Sequence, residues 1–196
     1  MFTRTESFQE FIRYYPIVSL IVLIHIIFFL LTSLPIFPNS LVFEYLAGVN
    51  LYIWQGELWR LVTPIFIHSG FSHVLFNSFS LVLFGPALER ILGPVRFTAI
   101  YLITGISANI ATLFIEPVTY IHVGASGAIF GLFGMYISLV IYRKSLLSKD
   151  NSQLIITIAV ISVIMTFLQP NINIISHIFG LLSGFLIGAI ALRKKG

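Results

Sequence analysis

The sequence predicts an all-α polytopic membrane protein of six transmembrane helices with a structured first outer loop, and three observations carry that prediction. Apolar runs recur at 17–34, 71–88, 97–115, 125–142, 154–168 and 174–192, each long enough or nearly long enough to cross ~30 Å of hydrocarbon at about 1.5 Å per residue. The composition is 58% hydrophobic and 9% charged, with a mean hydropathy of +1.00, which excludes a water-soluble globular domain. Ten of the eleven Lys and Arg residues fall on one side of the six spans, as expected when basic residues are retained in the cytoplasm.

The N-terminal segment, residues 1–16, holds Arg4 and Arg13 and is expected to lie in the cytoplasm ahead of a retained first helix. The 35–67 connection is too long for a tight turn. It contains Trp54 and Trp59 among Phe43, Tyr45 and Tyr52, a mixture suited to the headgroup zone, and is expected to form a structured loop in or on the membrane. Arg90 and Arg96 separate spans two and three, and Arg143, Lys144 and Lys149 separate spans four and five. The fifth span is the shortest, and crossing would require Asn151, Ser152 and Gln169 at the interface or a thinned bilayer. Residues 117–123 and 170–173 read as short outer turns. Arg193, Lys194 and Lys195 close the chain in a cytoplasmic tail, 193–196. Arg60 alone falls on the outer side. Spans two, four and six therefore run from outside to inside. With no internal repeat, 1–196 reads as a single membrane-embedded domain.

The absence of cysteine excludes a disulfide framework, a thiolate metal site and a cysteine nucleophile. The net charge of +4 is a topology signal and implies no nucleic-acid partner.

Polar side chains placed inside a bilayer are functional candidates by default. His73 and Asn77 open the second span, Ser126 opens the fourth and His177 opens the sixth. All four then lie within about one to two turns of ~5.4 Å from the outer surface. His73 and Asn77, four residues apart, share a helix face. Ser126 sits in Gly124-Ala125-Ser126-Gly127, and Gly124, Gly127, Gly131 and Gly134 step by three, four and three so as to line one helix face; His177 heads a row formed by Gly180, Gly184 and Gly188. Such rows let two helices approach until their backbones nearly touch. Helix packing alone accounts for either stripe. Packing together with the placed polar groups brings a serine hydroxyl to an imidazole, the arrangement of a base-activated nucleophile.

No carboxylate is available to orient His177, because Asp150 and Glu89 belong to the inner side and Glu57 and Glu116 to outer loops. The expectation is a Ser126–His177 dyad with its imidazole held by packing, recognised by roles rather than by a complete triad. The Asn77 amide, the Ser126 N–H and a His73 N–H are candidate oxyanion donors. A catalytic zinc site lacks its third ligand, so no metal and no cofactor are expected. His25 and His122 have no evident partner in the sequence.

The pattern from Trp59 to Gly188 resembles the rhomboid family of intramembrane serine proteases. The resemblance rests on Trp59-Arg60, on His68, His73 and Asn77, on Glu89, on Gly124-Ala125-Ser126-Gly127, and on His177-Ile178-Phe179-Gly180 followed by Gly184. It implies a six-helix rhomboid-like bundle of minimal bacterial type. Ser126 would be the nucleophile, His177 the general base and acid, and His73 and Asn77 the oxyanion side chains. Trp59, Arg60, His68, Glu89, Gly124, Gly127, Gly180 and Gly184 would lend structural support. Phe130 stands where many bacterial members carry tyrosine; its ring can still stack on His177. The implied activity is acyl-enzyme cleavage of single-span membrane proteins at a site open to the extracytoplasmic side, with the fifth helix and the capping loop as gates. Partners are then transmembrane substrates and the lipid bilayer. A non-catalytic rhomboid-like protein that binds or retains clients is the alternative. A channel is disfavoured because no polar row continues to the inner side.

Overall fold

A computed structural model of the chain describes residues 5–35, 38–170 and 172–192. Arg4, Arg193, Lys194 and Lys195, used above for topology, lie outside the described residues. Helix α1 (Phe8–Tyr14) starts at a reciprocal cap in which Ser7 and Glu10 bond each other's backbone. Tyr15 interrupts the helix because the residue before a proline is pushed out of the α region. Helix α2 (Pro16–Ser33) then begins with proline at its first position.

The orphan N–H groups of α2 are answered from 71 and 72 residues away in the chain. Glu89, buried near the end of α5 (Phe71–Leu92), accepts from Ile17 N at 2.9 Å and Val18 N at 3.0 Å. A carboxylate on two N-terminal amides is favoured by hydrogen bonding and by the helix dipole together. One stripe of α2, Val18, Ile21 and His25, is buried, while Leu20, Leu23, Ile27 and Leu30 face outward. Outward apolar side chains are the expected finish of a lipid-facing helix.

The long connection is built, as expected, from short elements: α3 (Asn39–Leu46), β1 (Gly48–Val49), α4 (Asn50–Trp54) and two 3₁₀ turns at Leu58–Leu61 and Thr63–Ile65. Arg60 is its hub. The guanidinium is buried, donates to Glu44 O, to Ala47 O at 2.6 Å and to the Glu57 carboxylate at 2.6 Å, and lies 4.9 Å over the Tyr52 ring. Trp59 stacks on Tyr45 and donates to its carbonyl. Asn50 donates to Thr112 O of α6 (Pro94–Ile115) and to Pro117 O just beyond it, and Asn109 of α6 donates to Leu61 O, anchoring the segment to that helix.

The 117–123 turn differs from expectation in carrying a strand, β2 (Ile121–His122), antiparallel to β1 with Gly48 opposite His122. A side chain at Gly48 would overlap the His122 ring, so glycine is what permits the pairing.

The remaining helices are α7 (Ser126–Tyr142), α8 (Lys149–Leu168) and α9 (Ile174–Leu192). Among the described residues five helices are long and apolar enough to cross a membrane, and α7 is a shorter sixth. This is a multi-pass, rhomboid-like helical bundle. α8 extends five residues before the apolar run, starting at the Ser148 cap, which removes the shortfall expected for the fifth span.

α7 is central and buried continuously from Gly127 to Tyr136. Glycines set its contact with α9: a Cβ on Gly180 would overlap the Gly127 carbonyl, and one on Gly184 the Gly131 carbonyl. Tyr136 secures α7 to α5 by donating to Phe84 O at 2.6 Å. α8 buries only Ile155, Ala159 and Thr166. With 17 residues, α7 spans about 25 Å at 1.5 Å per residue, short of ~30 Å of hydrocarbon.

Candidate active site

Ser126 opens α7, and the loop before it is fixed. Gly124 lies outside the helix, at φ +117°, so it does not belong to the α7 packing stripe. Its N–H donates to Pro64 O at 2.8 Å, and a Cβ there would run into the His73 ring. Both the left-handed backbone and the close ring require glycine. Ser126 is consequently delivered at a helix N-terminus, on the wall of a cavity.

That cavity, of about 740 Å³, is lined by Ser126, His177, His73, Asn77, Thr166 and Phe130 among others. The four polar residues singled out from the sequence thus share one space, contributed by α5, α7 and α9. His177 occupies the first turn of α9, which Asn173 caps by accepting from Ser176 N at 2.9 Å. Asn173 is itself held by Thr112 of α6 at 3.0 Å. The backbone contact at Gly127 and Gly180 brings the two helices together one residue after Ser126 and three after His177. One turn below the serine, Phe130 stacks on the imidazole at 4.0 Å between centroids and 16° between planes. Among the described residues no hydrogen bond joins Ser126 to His177; such bonds tighten when a substrate fills a site.

His177 is held by more than packing. Its Nδ1 lies 2.8 Å from the Thr166 hydroxyl of α8, a partner absent from the sequence reading. Asn77 donates to His73 O at 2.9 Å, which uses one of its two amide protons. His73 Nδ1 meets the Ser69 hydroxyl at 3.1 Å.

Behind His73 the rings of His68 and His25 follow edge to face, with centroids 5.0 and 4.7 Å apart. His25 acquires partners in Ser78 at 3.3 Å and Tyr101 at 3.4 Å. His68 has neither ring nitrogen hydrogen-bonded; it is buried, and burial pushes its imidazole far below the ordinary range. His122 is buried in the same way, is stacked on Tyr120, and is pushed down to about 4 by desolvation. Among the described residues no group of three His, Cys, Asp or Glu side chains is placed to hold a metal ion. Trp54 is exposed and meets Phe114 edge-on.

A multi-pass helical bundle with these side chains gathered at the start of its central helix defines a narrow class of membrane protein. The chain belongs to the rhomboid family: the family model described as Rhomboid domain matches residues 55–194. It is 49% identical over 195 residues to a Bacillus subtilis (strain 168) protein named "Putative rhomboid protease YdcA", covering 100% of this chain and 98% of that one. It is 40% identical over 151 residues to the rhomboid protease GluP of the same organism, 76% of this chain and 29% of GluP. It is 33% identical over 160 residues to RHOMBOID-like protein 1 of Arabidopsis thaliana, 80% of this chain and 41% of that protein. Apart from the first, the chain thus spans less than half the length of these relatives.

Proposed function

We propose that the protein is an intramembrane serine endopeptidase that cleaves transmembrane segments of single-span membrane proteins through a Ser126–His177 dyad. The observation that carries this reading is the Phe130–His177 stack beside the Gly127–Gly180 backbone contact, because it holds the imidazole at the mouth of the helix that begins with Ser126.

In this mechanism His177 takes the Ser126 proton as Oγ attacks the scissile carbonyl carbon. The carbonyl oxygen becomes an oxyanion. The Ser126 N–H at the α7 N-terminus, the free Asn77 amide proton and a His73 N–H supply its donors. Collapse breaks the C–N bond, and the protonated imidazole gives its proton to the leaving amine. Water, deprotonated by the same imidazole, then attacks the acyl ester; the C–Oγ bond breaks, the imidazolium returns its proton to Oγ, and the acid product leaves Ser126 and His177 as they began. The short α7 supports a site recessed below one membrane face, with the cavity admitting water. Basic-residue placement supports cytoplasmic termini and an extracytoplasmic opening in the cell membrane. The fold supports one domain over 1–196, with Arg60, Trp59 and Glu89 holding the frame.

The test is cleavage of a single-span substrate by purified protein in proteoliposomes. Ser126→Ala and His177→Ala are expected to abolish it, and a fluorophosphonate to label wild type but not Ser126→Ala. Cleavage retained by Ser126→Ala overturns the dyad; substrate binding without any cleavage by wild type favours a client-binding protein.

A further inference from the structure

The imidazole of a general base works only in the tautomer that leaves its reacting nitrogen bare, and in this fold a neutral hydroxyl is placed to select it. Thr166 is buried on α8, and its Oγ1 makes two contacts: 2.9 Å to the Ser162 carbonyl oxygen one turn earlier and 2.8 Å to His177 Nδ1. A threonine hydroxyl has one proton and two lone pairs. The carbonyl can only accept, so the Thr166 proton is committed to Ser162. The remaining role of Oγ1 toward the imidazole is that of acceptor. Nδ1 must then carry the ring proton, and Nε2 keeps its lone pair.

We infer that Thr166 is a positioning residue that holds His177 in its Nδ1–H tautomer, leaving Nε2 as the basic nitrogen presented to Ser126. The inference rests on the proposed Ser126–His177 reading. It assigns to a neutral hydroxyl on a neighbouring helix the orienting task that a buried carboxylate has in a triad. When His177 takes the serine proton, the Nδ1–H to Thr166 bond persists and is strengthened by the new charge. The orienting group belongs to α8, which buries few side chains, so the state of the base follows the position of that helix.

The experiment is nitrogen NMR of protein labelled with ring-15N histidine in detergent micelles, with the His177 signals assigned by their loss in His177→Gln. Wild type is expected to show Nδ1 protonated and Nε2 unprotonated. Thr166→Val, which keeps the shape and removes the hydroxyl, is expected to give a mixture of tautomers. It should also lower kcat roughly 2- to 10-fold with KM within about twofold, and Thr166→Ser should restore both readings. Wild-type His177 protonated at Nε2 overturns the inference. So does Thr166→Val with unaltered ring shifts and wild-type kcat. Once assigned, the wild-type spectrum reads the tautomer without Thr166→Val having to fold and whether or not Ser126→Ala abolishes cleavage, so the two readings fail separately.

Discussion

The ring of Phe130 lies 4.0 Å from the imidazole of His177 and within 16° of parallel to it. Because Phe130 is one turn along α7 from Ser126, a single helix both supplies the hydroxyl and supports the ring beside it. Offset aromatic contacts contribute about 0.5–1.5 kcal/mol beyond burial. Phe130→Ala should therefore lower kcat by roughly 2- to 10-fold as the ring loses its support, while Phe130→Tyr keeps the stack and stays near wild type. Rates of substrate cleavage in proteoliposomes check both.

Asn77 donates to the His73 carbonyl and retains a second amide proton on the cavity side of α5. If that proton meets the oxyanion, Asn77→Ala should cost about 2.7–4 kcal/mol of transition-state stabilisation, or roughly a hundredfold or more in kcat, with KM little altered. A change confined to KM would assign Asn77 to substrate binding instead.

Gly184 lies against the Gly131 carbonyl with no room for a methyl group. Gly184→Ala should force α7 and α9 apart and destabilise the bundle by about 1–3 kcal/mol. Thermal unfolding in detergent reads this directly. Gly56, around which a Cβ meets nothing, is a control for space alone, although its φ of +104° carries its own strain.

Glu89 answers two backbone amides of α2. Glu89→Ala removes both charge-assisted bonds, each typically about 1.5–3 kcal/mol, and leaves the α2 N-terminus uncapped beside Pro16. A lowered melting temperature is expected, with protection of the α2 amides lost first in hydrogen exchange.

His122 is buried without hydrogen-bond partners, and burial holds its imidazole at about 4. Its unfolded value is about 6.5. The unfolded chain therefore binds the proton more readily, and stability rises with pH between these values. The contribution is fully present above about pH 6.5 and is lost as the pH falls toward 4, by up to about 3 kcal/mol for this residue. Melting temperature measured across that range should fall on acidification, and less steeply in His122→Phe.

The six spans were legible because the hydrocarbon core imposes a minimum length of apolar sequence, and the observed helices follow those runs. The exception is instructive: Lys149, Asp150, Asn151, Ser152 and Gln153 belong to α8 because helices tolerate a polar first turn, which an apolar-run criterion cuts away. Ser126, His177, His73 and Asn77 could be expected in one place since imidazoles and amides are costly in hydrocarbon and stand out there. Thr166 could not. A threonine satisfies its hydroxyl on the preceding turn of its own helix, so its presence in a span carries no signal. The Asn50 and Glu89 contacts and the Arg60 bonds to Glu44 O and Ala47 O were also hidden, because each joins a side chain to backbone atoms, which have no sequence identity to read.

The seam between α7 and α9 is closed by main chain on both sides. The gap between the hydroxyl-bearing and imidazole-bearing helices is consequently measured by the thickness of two peptide groups, a length that no rotamer can lengthen or shorten. Residues around the cavity wall can be exchanged for bulkier or slimmer ones while that spacing stays put, so the shape of the cavity and the alignment of the two helices are separable properties of this scaffold.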